Sequence, residues 1–111
     1  MTINWNDFEK IDMRVGTIIE VNDFPKAKKP AYQLTLDFGA EIGIRKSSAQ
    51  ITVHYKKEDL LNRQVIAVVN FPPKQIGGFM SECLVLGVYD ENKDVVLLHP
   101  GKEVGNGCRI G

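Results

Sequence analysis

Two clusters of polar residues stand where strand-like segments end, Lys46-Ser47-Ser48 and Asn70 with Lys74. Ammonium, hydroxyl and amide donors of this kind suit phosphate oxygens, and Phe71 and Phe79 close by offer planar faces to unstacked bases. Taken alone, each Phe reads better as a cap on the core. Brought onto one rim, the set has the chemistry of a nucleic-acid contact.

Other chemistry finds less support. His54 falls in a segment of helical pattern and His99 stands between a strand and Pro100, neither with an acid, base or ligand at useful spacing. Glu58-Asp59 and Asp90-Glu91 lie in polar turns, where carboxylates are normally solvated. Cys83 and Cys108 make no zinc spacing; both are expected to be reduced, although the sequence leaves a bridge between them open. Gly77-Gly78 lacks the Lys-Ser ending of a phosphate-binding loop. The expectation is a non-enzymatic protein with no metal and no cofactor.

The chain of 111 residues, 43% hydrophobic and 25% charged, has room for one domain, and at this size function belongs on a surface rather than in a deep cavity. No apolar run approaches a membrane span and the start has no leader pattern, so a cytoplasmic address without membrane insertion is expected. Charge is balanced, 14 basic against 14 acidic, which argues against a generic basic nucleic-acid binder. Between Lys26 and Lys74, however, nine basic residues face four acidic ones, enough for one basic face.

The elements that would position these residues follow from the pattern. Asn6 followed by Glu9 predicts a short capped helix with Phe8 and Ile11 on one face. Arg14–Val21 predicts a strand in which Gly16 marks a bulge or bend. After the basic loop Lys26–Pro30, the alternation Tyr32, Leu34, Leu36, Phe38 predicts a second strand, with a turn at Gly39-Ala40. A third strand through Ile42 and Ile44 should deliver Lys46 and Ser47 to its far end. Ser47-Ser48-Ala49-Gln50 matches a capping box and predicts a helix running toward Tyr55, with a second helical turn at Glu58–Leu61. Gln64–Asn70 is an apolar strand stopped by Phe71-Pro72-Pro73, and a loop holds Gly77-Gly78. Cys83–Tyr89 and Val95–Leu98 flank a polar turn as a last hairpin. Five short strands closed around one helix predict an all-β fold with short helices, the OB-type five-stranded Greek-key β-barrel, with an SH3-like barrel as the nearest alternative. The organisation expected is a single domain over 1–111, with a helical extension at 1–12, the barrel at 13–98 and a carboxy-terminal extension at 99–111.

Three segments carry a resemblance over nearly the whole chain: Asp12-Met13-Arg14-Val15-Gly16-Thr17-Ile18, Leu34-Thr35-Leu36-Asp37-Phe38-Gly39, and Val68-Val69-Asn70-Phe71-Pro72-Pro73-Lys74 running into Met80-Ser81-Glu82. Together they resemble the tRNA-binding OB domain found as a free dimeric protein and appended to methionyl-tRNA synthetases. Residues 42–51 and 65–73 look most like the stand-alone CsaA-type proteins, described as export-related chaperones. The resemblance implies a homodimer whose terminal segments pack outside the barrel, with Phe8, Ile11, Val104 and Ile110 at the interface. It also implies an RNA-contacting rim of Lys46, Ser47, Asn70, Lys74 and Ser81, with Lys28 as a further phosphate contact. The partner expected is tRNA, gripped through its backbone. The alternative is a chaperone that holds extended segments of preproteins in the same groove through Phe71, Ile76, Phe79 and Met80, with the protein-export machinery as a further partner.

Overall fold

The computed structural model describes residues 1–111 and is mostly β, with three short helices. A helix α1 (Trp5–Glu9) leads into a long strand β1 (Met13–Asp23), followed by β2 (Tyr32–Asp37). A one-turn helix α2 (Gly39–Ile42) joins β2 to β3 (Ile44–Ala49), and α3 (Lys57–Leu60) precedes β4 (Gln64–Val68). Then come β5 (Lys74–Ile76), β6 (Phe79–Ser81), β7 (Leu84–Val85), β8 (Gly87–Tyr89) and β9 (Val95–Leu97).

Five strands form one antiparallel sheet in the order β3-β2-β1-β4-β7, curled until its two edges nearly meet, as in an OB barrel. The length of β1 makes this curl possible. Its first part, Met13–Thr17, pairs with β4, and its second, Thr17–Asp23, pairs with β2 across a register shift between Ile18 and Glu20. The bulge therefore lies beyond Gly16. The glycine itself is needed for close approach, since a Cβ there would fall 2.6 Å from the ring of the fully buried Phe38.

Alternate residues of β2 and the strand-end Phe38 fill the interior: Leu34, Leu36 and Phe38 are fully buried beside Ile18, Val65, Ala67 and Val69. Leu60 of α3 completes this core from the connection before β4. Tyr32 and Tyr55 fasten the last hairpin to it: the Tyr32 hydroxyl donates to the Tyr55 carbonyl (2.9 Å), and the Leu97 N–H donates to the Tyr55 hydroxyl (2.9 Å).

Four local expectations change. The first helix is capped two residues earlier, because Asn4 and Asp7 exchange side-chain and backbone hydrogen bonds (2.9 and 3.1 Å). Gly39-Ala40 is not a tight turn but the start of α2, so β3 begins at Ile44 and carries Lys46 and Ser47 in mid-strand rather than at its end. The Ser-x-x-Gln pattern does not start a helix. Ser47 and Ser48 pair with Leu34 and Gln33 in the β2–β3 ladder, and Ser47 Oγ turns inward to donate to the Cys83 carbonyl (2.9 Å), a tertiary partner that outweighs the local cap. Finally, the Gly77-Gly78 loop is a two-residue turn joining β5 to β6, with φ +52° and +81°, the pair of left-handed conformations such a hairpin requires.

The terminal segments pack on the outside. Residues 107–110 run along the edge of β1 that β2 leaves free: Gly107 and Ile110 donate to Val15 and Met13 carbonyls, and Val15 donates to Cys108. Both cysteines are free thiols. No helix is long and apolar enough to cross a membrane.

Candidate nucleic-acid interface

The β3 edge is joined to the chain leading into β7 less by a ladder than by side chains. Glu82 N–H donates to the Lys46 carbonyl (2.7 Å), Lys46 N–H to Glu82 Oε1 (3.0 Å), and Ser48 N–H to Ser81 Oγ (3.1 Å). Beside this seam lies a groove of about 570 Å³. It is lined by Ser48, Cys83 and Leu84 at the seam, by Phe71-Pro72-Pro73, and by Lys74, Ile76 and Ser81 of the β5–β6 hairpin.

Register explains the hairpin wall. Lys74 pairs with Ser81 and Ile76 with Phe79, so these four share one face, whereas Gln75 and Met80 share the other. Lys74 thus holds an exposed ammonium above the Ser81 hydroxyl, whose oxygen accepts from Ser48 and keeps its own proton for another acceptor. Two prolines in the facing wall leave no N–H to satisfy, and Phe71 stays 55% exposed. The arrangement offers a cation and a hydroxyl to an anionic group and an open ring to a planar or apolar one.

The expected site residues divide. Lys74, Ser81, Phe71 and Ile76 converge on the groove. Lys46 is exposed on β3 beside the seam, and Lys28 is exposed in the loop between β1 and β2. Ser47 is 0% exposed and committed to Cys83, so it meets no ligand at the surface. Asn70 has both ends of its amide engaged: Oδ1 accepts from Asp12 N–H (3.0 Å) and Nδ2 donates to the Lys10 carbonyl (2.7 Å), which ties the amino-terminal segment to β4. Phe79 packs against Phe24 (ring centroids 5.4 Å), binding the hairpin to the chain just after β1 instead of lining the groove, and Met80 lies on the hairpin's far face. Sequence reasoning grouped Ser48 with Lys46 and Ser47 but left it off the rim, because it was assigned to a helix, and it gave Pro72, Pro73 and Leu84 no part in a site.

Phe8, Ile11 and Ile110 gather in a separate patch with Trp5, which is 65% exposed and stacks near Phe8 (5.3 Å). Val104 lies elsewhere, its backbone held by the Gln64 side chain on both N–H and carbonyl. Arg14 braces the terminal segments, bonding to Asp12 at 2.6 Å and to Glu41 at 3.0 Å, and these carboxylates hold its guanidinium even more firmly protonated.

Several titratable groups outside the groove have structural partners. Asp90 accepts from the Asn92 and Asp94 N–H groups and sits 2.7 Å from His54 Nε2; the Asp94 bond first, then His54, hold its carboxyl below the usual range. His99 contacts the Pro100 carbonyl, and Asp59 accepts from Lys56 N–H. Burial pushes the Cys83 thiol up to about 12, which keeps it protonated and poorly nucleophilic.

A protein-family model described as "Putative tRNA binding domain" matches residues 13–109. The methionine–tRNA ligase of Pyrococcus abyssi is 42% identical over 110 residues, which is 99% of this chain but 15% of the ligase. Two solved structures are similar over their full length. One, a CsaA chaperone protein from Picrophilus torridus, is 55% identical with a TM-score of 0.93, covering 99% of this chain and 100% of that one. The other, chaperone CsaA from Bacillus anthracis, is 50% identical with a TM-score of 0.94 and covers 100% of both chains. The chain spans only 14% to 16% of the curated ligases, so what it shares with them is a small part of each enzyme.

Proposed function

This chain belongs to the tRNA-binding domain family, and from that membership we propose that it grips the RNA backbone at the rim of the β3–β7 groove. The observation that carries the proposal is the convergence of the Lys74 ammonium, the Ser81 hydroxyl and the open Phe71 ring on one groove. Lys46 and Lys28 extend the positive surface on either side, and recognition runs through phosphates and shape rather than base edges. Ser47 and Asn70 support the rim from beneath and beside it. The protein acts as a homodimer, with Trp5, Phe8, Ile11 and Ile110 as the self-complementary apolar patch, so that two rims engage one folded RNA. A cytoplasmic address fits its two free thiols.

A second reading has its own observation. The groove walls are largely apolar, with Phe71, Pro72, Pro73, Ile76 and Leu84, which suits an extended peptide, and both CsaA structures are named as chaperones. Preproteins on their way to export would then be the ligand. Competition between labelled tRNA and an unfolded, reduced polypeptide decides between the readings. RNA binding that the polypeptide displaces places both ligands on one groove. Polypeptide binding without RNA binding overturns the first reading and leaves the second.

A further inference from the structure

The groove does not end at Ser48 and Leu84. A second concavity of about 540 Å³ shares these two residues and continues between the chain that follows β3 and the β8–β9 hairpin. Lys29 from the basic loop and Lys93 from the hairpin turn stand on its rim, and Tyr89 at the end of β8 lines it while remaining 78% exposed.

The hairpin is held firmly enough to present that ring. Asp90 closes the turn on the Asn92 and Asp94 N–H groups and reaches across to His54 at 2.7 Å, so the turn is tied to the segment that borders the groove. Tyr55 holds β9 through the Leu97 N–H. Gly87 lets the two strands close tightly, since a Cβ there would fall 2.5 Å from the Val95 side chain. An exposed aromatic ring on a fixed ribbon gains nothing for the core. It does offer a stacking platform, and two ammonium groups against the single carboxylate of Asp94 give the lining a positive excess.

We propose that this second concavity is a nucleotide subsite, in which an unpaired base stacks on Tyr89 and its flanking phosphates lie against Lys29 and Lys93. A single-stranded segment then crosses Ser48 and Leu84 and continues to Lys74. The inference rests on the RNA reading of the first groove and adds to it the class of RNA held, an unstacked strand rather than duplex backbone alone. Charge favours this occupant over a peptide, because two lysines on the rim add nothing for a neutral or basic chain.

The test is fluorescence anisotropy of a labelled oligouridylate against the full chain and its Tyr89→Ala, Tyr89→Phe, Lys93→Ala and Lys74→Ala variants. Tyr89 is exposed, so these changes leave the fold intact, and circular dichroism checks it. The subsite predicts that Tyr89→Ala weakens binding about tenfold. Tyr89→Phe, which keeps the ring, should bind like the parent, and Lys93→Ala should flatten the salt dependence. If Tyr89→Ala binds like the parent while Lys74→Ala is weakened, the subsite is wrong and the first groove stands. Loss of affinity for unfolded polypeptide but not for the oligonucleotide overturns it in favour of a peptide subsite. If the parent binds neither oligouridylate nor tRNA, the RNA reading falls and takes the subsite with it.

Discussion

The two thiols show how environment separates chemically identical residues. Cys83 is buried under the seam with its thiol pushed up to about 12, whereas Cys108 is exposed in the carboxy-terminal segment. Iodoacetamide should therefore alkylate Cys108 rapidly in the native protein and Cys83 only on unfolding, as mass spectrometry of the modified chain would read; fast modification of both contradicts the buried seam. The same shift has a sign in pH. An unfolded thiol titrates near ~8.5, so the stability linked to Cys83 is fully present below that pH and is lost as pH rises through the folded value. Sequence pattern alone placed Cys83 in the core, because the apolar run around it fixes where it must stand, whereas the reading of Phe71 as a core cap gives way to a ring left 55% exposed. The pattern misplaced Ser47 and gave Asn70 the wrong partner, since nothing local reveals a hydroxyl bonded to Cys83 or an amide that spans Lys10 and Asp12.

At the scale of elements, strands with strict alternation or unbroken apolar runs were legible, as Tyr32–Asp37 and Gln64–Val68 demonstrate. Capping patterns misled in two ways: a competing local box moved the first cap to Asn4, and a tertiary partner turned Ser47–Ala49 into strand. The β5–β6 hairpin was missed as an element even though Gly77-Gly78 marks its turn, because three-residue strands carry too little alternation to read. Packing is tight where β1 passes Phe38. Gly16→Ala should push a methyl into that ring and cost about 1–3 kcal/mol, measurable by chemical denaturation. An unchanged midpoint would mean that Phe38 moves aside freely. Because Phe38 anchors the chain just before α2, its displacement should also loosen the Gly107–Val15 pairing nearby, visible as faster amide exchange in the carboxy-terminal segment.

For the whole molecule, the terminal patch and the groove are joined by Asn70, which follows β4 just before Phe71 and holds Lys10 and Asp12 at the same time. Self-association through the patch would thereby hold two groove walls in a fixed relation. Light scattering should give the mass of a dimer for the parent and a shift toward monomer for Trp5→Ala with Phe8→Ala; a monomeric parent would remove the two-rim grip while leaving each groove intact. The chain's balanced charge makes the location of its lysines, not their number, responsible for any RNA affinity. The most direct measurement is the salt dependence of tRNA binding, compared between the parent and Lys74→Ala. Phosphate contact at the groove predicts affinity that falls steeply with salt in the parent, and a slope smaller by about one in the variant. Equal slopes, or binding insensitive to salt, would contradict the assignment of Lys74 to the RNA backbone.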